Sequence, residues 1–248
     1  MNRHSRTKPC FTCSALALAI AAATTPAQAQ QSIEEIVVTA DFRQSSLNDI
    51  PASISIVDST VMRRKNALHL EDVLQNTPNV NVASGASRAR YMQIRGIGET
   101  GQFTEPLNAS VGLLIDGVDF SGIGGAAMLY DMEQVEVLLG PQGTRYGSNA
   151  LAGLVNLQSR APTETLHYGL QLQGENYAGN GVAGYVSGAA SDTLLFRLSA
   201  QTLASDGFSN NLFLDKPTNR RNENTLRGKL HWVPADGISV DFSTALID

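Results

Sequence analysis

Residues 111–156, VGLLIDGVDFSGIGGAAMLYDMEQVEVLLGPQGTRYGSNALAGLVN, constrain the fold more than any other stretch of the chain. Two short, β-rich apolar runs at 111–115 and 135–139 each end in a glycine-bearing turn, which predicts strands rather than helices. Asp116-Gly117 lies between Leu113-Leu114-Ile115 and Val118-Asp119-Phe120, and it supplies the positive φ angles of a tight two-residue hairpin. The second run leads into Gly140-Pro141, Gly143 and Gly147. That spacing forces repeated turns and is expected to leave little regular structure before Leu154-Val155-Asn156-Leu157.

The N-terminus has the form of a targeting segment over residues 1–29. Arg3, Arg6 and Lys8 give a basic start, residues 15–23 (ALALAIAAA) a short apolar middle, and Ala27-Gln28-Ala29 a small-x-small cleavage site. Cleavage before Gln30 shortens the 248-residue chain to 219 and removes Cys10 and Cys13, so no thiol chemistry is expected of the mature protein. It also removes three basic residues and no acidic one, taking the formal net charge from −5 to −8. An exported, acidic chain argues against non-specific nucleic-acid binding. No later apolar run reaches about 18 residues, which excludes a membrane-spanning helix but not a β-barrel, whose strands give a far weaker signal.

The ordered set DGV at 116–118, EQVEVLLGPQGTRYG at 133–147 and AGLVN at 152–156 resembles the plug domain of TonB-dependent outer-membrane transporters. Two positions depart from the family pattern: Leu139 stands where the family has Arg, and Arg145 where it has an apolar residue. The family arginine helps tie plug to barrel wall, so that role does not carry over to Leu139. Ile33, Glu34, Glu35, Ile36, Val37 and Val38 look like a TonB box, an extended peptide that adds to a partner's sheet edge by main-chain hydrogen bonds. The resemblance therefore implies TonB, with its inner-membrane energising complex, as a partner, and outer-membrane lipid as the surroundings.

The same resemblance assigns ligand contacts to outward plug loops at 83–90, 97–103 and 120–125, with Arg88 and Gln102 as polar contacts and Phe120 as the apolar one. It assigns plug-to-barrel anchoring to Arg95, in the IRG motif at 94–96, and to Glu136. A small scarce ligand is implied. Ferric siderophores are the commonest class, and carbohydrates and cobalamin use the same plug.

Between box and motif, residues 53–57 predict a strand, and Asp58 or Ser59 caps a helix expected to run to about Leu68. Residues 70–74 start a second helix that Thr77-Pro78 stops, after which Asn79 tolerates a left-handed conformation. Strands are expected at 80–82 and 91–95. Beyond 162 the texture changes. Leu166, Tyr168, Leu170 and Leu172 alternate with His167, Gly169, Gln171 and Gln173, the dyad repeat of a strand between two environments. Comparable segments follow near 181–190, 193–203, 223–232 and 238–247, joined by short turns at 191–192 and 234–237 and by a long polar connection at 204–222. Short turns on one side and long loops on the other fit an outer-membrane barrel with apolar residues toward lipid. Five strands do not close one, since the smallest such barrels have about eight, so an N-terminal piece of a longer protein is expected, not competent to transport alone.

No catalytic constellation is present. His69, His167 and His231 lack a partner at ligand spacing, and neither GxSxG nor HExxH occurs. Residues 96–101 satisfy GxGxxG, but Pro106 follows where a dinucleotide site needs a helix, so a loop is the better reading than an oxidoreductase. A secreted β-rich adhesion or pore protein shares the alternating strands, yet gives no reason for the IEEIVV peptide or the 133–147 motif. The expected architecture is an α+β plug, a small mixed sheet with short helices, followed by the first antiparallel strands of an incomplete transmembrane β-barrel. Its parts are a signal peptide at 1–29, TonB box and tether at 30–48, plug at 49–162 and barrel strands at 163–248, with no cofactor, metal or enzymatic activity.

Overall fold

A computed structural model describes residues 37–38, 45–46, 53–83, 91–100, 108–122 and 127–248. The targeting segment, box residues 33–36, Arg88 and Gln102 lie outside the described residues. All described residues belong to one unit, Val37–Asp248.

Strands β1 (Val37–Val38) and β2 (Ser45–Ser46) pair antiparallel. Strand β3 (Ser53–Asp58) leads into helix α1 (Ser59–Arg64), where the Asp58 carboxylate accepts from the Val61 N–H at 2.8 Å. The helix stops well short of Leu68. Asn66 adopts φ 50, and the Ala67 N–H donates to the Met62 carbonyl while Asn66 N–H donates to that of Arg63. This is a Schellman closure with asparagine in the left-handed position, a stop that the apolar pattern alone does not reveal. Helix α2 (Leu70–Leu74) is capped by His69, whose Nδ1 accepts from Glu71 N–H, while the Asp72 carboxylate accepts from His69 N–H at 3.0 Å. Asn79 is left-handed at φ 62, in the turn closed by Val80 N–H to the Thr77 carbonyl with Pro78 at its first central position.

Strands β4 (Val80–Ala83), β5 (Tyr91–Ile94) and β6 (Ile97–Gly98) form a small antiparallel sheet. Residues 97–98 are thus a hairpin strand, not the opening of a nucleotide-binding helix. The larger plug sheet adds β7 (Val111–Ile115), β8 (Val118–Asp119), β9 (Met132–Leu139) and β10 (Gly153–Ser159) to β3, in the order β3-β9-β10-β7-β8, with β10 parallel to β7. Asp116 and Gly117 turn the β7–β8 hairpin at φ 51 and 81, the signature of a type I′ turn.

The central plug strands are buried on both faces, which explains why their apolar runs do not alternate. One face, with Val111, Leu113, Val135, Val137, Val155 and Leu157, packs with Met62, Leu70, Val73 and Leu74 from the helices. The other packs Leu114, Leu138 and Leu154 beneath Ile54, Ile56 and Tyr146. Tyr146 ends helix α3 (Gly143–Tyr146), followed by a 3-10 turn at Gly147–Asn149. The expectation of little regular structure here is corrected: Gln142 N–H bonds to the Ala150 carbonyl, pinching the loop ends together so that one helical turn fits between the glycines. At Gly153 a Cβ would lie 2.4 Å from the Leu138 carbonyl oxygen, so the motif glycine admits the neighbouring backbone.

The remaining strands form one antiparallel meander: β11 (His167–Gly174), β12 (Asn180–Ser191), β13 (Leu194–Ser205), β16 (Arg221–Ala235) and β17 (Ile238–Ile247). The long connection between β13 and β16 contains a hairpin of its own, β14 (Ser209–Asn211) with β15 (Lys216–Thr218). In this wall the soluble-protein arrangement is reversed. Leu170 is 75% exposed on the outer face, whereas Arg197, Gln201, Thr225 and Arg227 are buried on the inner one.

Register places the outward side chains in rows, from Leu172 and Val182 down through Leu170, Leu226 and Leu246 to Leu194, Trp232 and Val240. Eight residues separate the ends of that ladder, from Thr202 to Leu194. At about 3.3 Å per residue and a tilt of roughly 40°, they span about 20 Å of bilayer, close to the apolar band of outer-membrane barrels. Leu198 lies in the middle row of the band and Gln171 faces inward. In full-length protein, Leu198→Arg should lower folding into lipid vesicles by about 2–4 kcal/mol in urea titrations, while Gln171→Arg should have a much smaller effect.

Candidate functional site

The plug meets the wall through charges rather than through its apolar core. Asp116 occupies the turn after β7, Asp131 adopts φ 62 just before β9, and Ser159 ends β10, so three strand ends bring polar groups to one side of the plug. Opposite them the wall register pairs Arg197 with Lys229 and Ser199 with Arg227 on its inner face. The contacts follow from that placement. The Arg197 guanidinium donates to both Asp131 carboxylate oxygens, at 2.8 and 2.5 Å, with both side chains almost wholly buried. It also stacks 4.6 Å from the centre of the Tyr185 ring, which fixes its plane.

Lys229 Nζ donates to Asp116 Oδ1 and to the Ser159 carbonyl, each at 2.9 Å. Asp116 in turn accepts from Ser159 N–H at 2.9 Å and Ser159 Oγ at 2.7 Å. Arg227 donates to the Tyr130 carbonyl at 2.8 Å, and its Nε is buried with no partner among the described residues. Burial, reinforced by the charge of Asp131, pushes the Tyr130 phenol up to about 12, so it stays neutral beside the cluster. Where the chain leaves the plug, Arg160 donates to Ser59 Oγ at 2.8 Å and lies 3.5 Å from Glu133, and Thr163 N–H donates to Ser187 Oγ of the wall.

Of the residues singled out in the sequence, Arg95 is exposed in the β5–β6 turn at φ 54, its N–H donating to the Asn79 carbonyl. Glu136 is fully buried on β9, accepting from Gln134 Nε2 at 2.6 Å and Asn156 Nδ2 at 3.0 Å, both within the plug. Phe120 is half-buried against the main plug core. Beside it Asp119 accepts from Ser121 N–H and Asn149 Nδ2. Burial alone would raise that carboxyl, but hydrogen bonding from the Ser121 side chain, then from its N–H and from Asn149, outweighs it and holds the group below its usual value.

The Asp116-Gly117 turn signal does not show that the Asp116 carboxylate is also a wall contact. The alternation at 223–232 puts Arg227 and Lys229 on the polar, lumen-facing side without naming what they meet, and no motif marks Asp131 or Arg197. The available signal was three cations at inward positions of adjacent strands, in a sheet whose inner face has nothing but a plug to meet.

Removing Arg197 strands the buried Asp131 carboxylate, whereas Asp116 keeps its two bonds to Ser159 without Lys229. Arg197→Met should therefore lower plug stability by about 3–5 kcal/mol and Lys229→Met by distinctly less, read as urea-induced exposure of the plug to protease. Adding Asp131→Asn to Arg197→Met should recover part of the loss.

The family profile described as the TonB-dependent Receptor Plug Domain matches residues 46–154. The chain is 27% identical over 242 residues to the Vitamin B12 transporter BtuB of Vibrio vulnificus, covering 93% of this chain and 38% of that protein. It is 28% identical over 210 residues to the Iron-regulated outer membrane virulence protein of Vibrio cholerae, covering 77% and 31%. Among solved structures it superposes with TM-score 0.70 on the ferric yersiniabactin uptake receptor FyuA from Yersinia pestis, at 21% identity over 78% of this chain and 31% of that one. The ferripyoverdine receptor of the Pseudomonas aeruginosa outer membrane, bound to ferripyoverdine, gives 0.70 at 17% identity over 85% and 27%. The chain thus spans between about a quarter and two fifths of these proteins' length, and they are transporters and receptors rather than enzymes. With a matching plug motif, a plug fold and barrel-wall strands in register around it, residues 46–154 are a TonB-dependent receptor plug domain and the chain has the plug-and-wall fold of these receptors.

Proposed function

We propose that this chain forms the plug and first wall strands of an outer-membrane importer that draws energy through TonB. The observation that supports this most directly is the docking of a plug onto the polar face of a barrel wall by the Asp131–Arg197 and Asp116–Lys229 pairs. Such an interface separates without exposing apolar core to water, as a stopper that must move requires. In this reading residues 1–29 are an export signal, 30–48 the box and tether, 49–162 the plug and 163–248 barrel strands in the outer membrane of a Gram-negative bacterium.

Ile33 to Val38 carry the pull. Val37 and Val38 hydrogen-bond to Ser46 and Ser45, a two-residue pairing weak enough for a TonB strand to replace. Arg88, Gln102 and Phe120 contact ligand from the plug loops, and Arg95 and Glu136 share in anchoring. The cargo is a ferric siderophore, a reading supported by relatives named for iron regulation and for ferric siderophore uptake. Cobalamin is a second reading, favoured by the match to a vitamin B12 transporter over most of the chain.

Deleting residues 33–38 from the complete gene should abolish growth on ferric siderophores under iron limitation while leaving ligand binding to whole cells intact. Unchanged growth after the deletion contradicts the coupling to TonB.

A further inference from the structure

The rim of the wall holds a cleft of about 320 Å³ whose lining the import reading does not use. It lies between the β11–β12 turn, the segment after β13 and the start of β16, with Leu68 of the plug on one side. Two aromatic rings open into water here. Tyr177 and Phe208 are 61% and 65% exposed, yet they pack edge to face with centroids 6.5 Å apart. Exposed rings in mobile loops gain little from such contact, so the scaffold behind them matters.

That scaffold is built. Tyr177 and Ala178 occupy the two central positions of a hairpin turn at φ 59 and 55, closed by bonds from Gly179 N–H to the Asn176 carbonyl and from Glu175 N–H to that of Gly179. Asn-Gly fits such a turn without strain, whereas a tyrosine is held there against its backbone preference. Asp206 N–H donates to the Tyr177 carbonyl and joins this turn to the next segment. There Gly207, at φ 82, leaves no room for a side chain against the Thr218 and Asn219 carbonyls, at 2.5 and 2.4 Å. The backbone therefore holds both attachment points, and the rings pack against one another there.

Around the rings stand planar side chains that donate and accept: Asn176, Asn180, Asn219 and Gln173. The charged lining is Glu175, Glu223 and Arg221, one net negative charge, so the field does not favour a polyanion. Aromatic faces held against one another, carboxamides around the cleft and no cationic surplus match a neutral pyranose, whose C–H face is weakly positive and whose hydroxyls both donate and accept. The volume lies within the range of small-molecule sites, about 300–1,000 Å³.

We propose that this cleft is a binding site for a neutral hexopyranose, presented either by a free oligosaccharide or by the core glycan of neighbouring lipopolysaccharide. The site goes beyond the import reading and does not depend on which cargo passes the plug.

The test uses protein purified in detergent from the complete gene, applied to an array of neutral glucose and galactose oligosaccharides together with lipopolysaccharide core oligosaccharide. At least one neutral glycan should be retained. Its affinity should fall at least tenfold in both Phe208→Ala and Tyr177→Asn, the asparagine keeping the left-handed turn, and stay within twofold in Phe213→Ala on the neighbouring hairpin. Preference for the free oligosaccharides or for the core glycan identifies the source. No retained glycan, or a loss smaller than tenfold in either ring variant, overturns the proposal. The measurement needs neither TonB nor energised cells, so its failure is distinct from failure of the uptake assay.

Discussion

Two plug carboxylates, Asp131 and Asp116, paired with Arg197 and Lys229 of the wall, with Arg227 on the Tyr130 carbonyl beside them, are the interaction on which the relation of plug to wall depends. Buried ion pairs add little net stability over an apolar replacement, because both partners lose water, but breaking one by removing a single partner is expensive. What they add is placement. A bidentate guanidinium fixes angle as well as distance, and Tyr185 beneath Arg197 leaves that guanidinium few other orientations. The plug is thus docked in one register against β13 and β16 by polar contacts.

This follows from the two solvents the wall separates. Its outward side chains form the apolar rows of Leu172 to Val240, so the inward positions are left to polar and small residues. A plug packed against them by the hydrophobic effect would need an apolar inner face, which would aggregate the wall strands before insertion. The plug instead keeps its apolar residues within its own sheet, on both faces of β9 and β10. It is a self-contained core held by charges, and such a body can be pulled without unfolding the wall around it.

Much of this was legible from residues. Asp116-Gly117 names its turn because few other pairs tolerate two positive φ angles, and the period-two alternation after residue 162 names five strands because side-chain direction in a strand is fixed. The less legible parts depend on backbone closure or on tertiary partners. Helix α1 ends at a left-handed Asn66 that apolar spacing does not mark, and the glycines of 143–147 flank a helical turn because Gln142 and Ala150 bond across it. The polarity of the plug-to-wall pairs was hidden for another reason. The family pattern directs attention to Arg95 and Glu136 of the plug, whereas Asp116 and Asp131 make the ion pairs with the wall. Only the strand register shows that Arg197 and Lys229 are neighbours on one face.

Zero-length carbodiimide cross-linking of the protein in its native membrane, read by mass spectrometry, tests that docking most directly, since Lys229 Nζ stands 2.9 Å from Asp116 Oδ1. The account predicts an amide joining the peptides that carry Lys229 and Asp116, lost on Asp116→Asn. A Lys229 joined only to other carboxylates, or left unmodified while exposed lysines react, would contradict it.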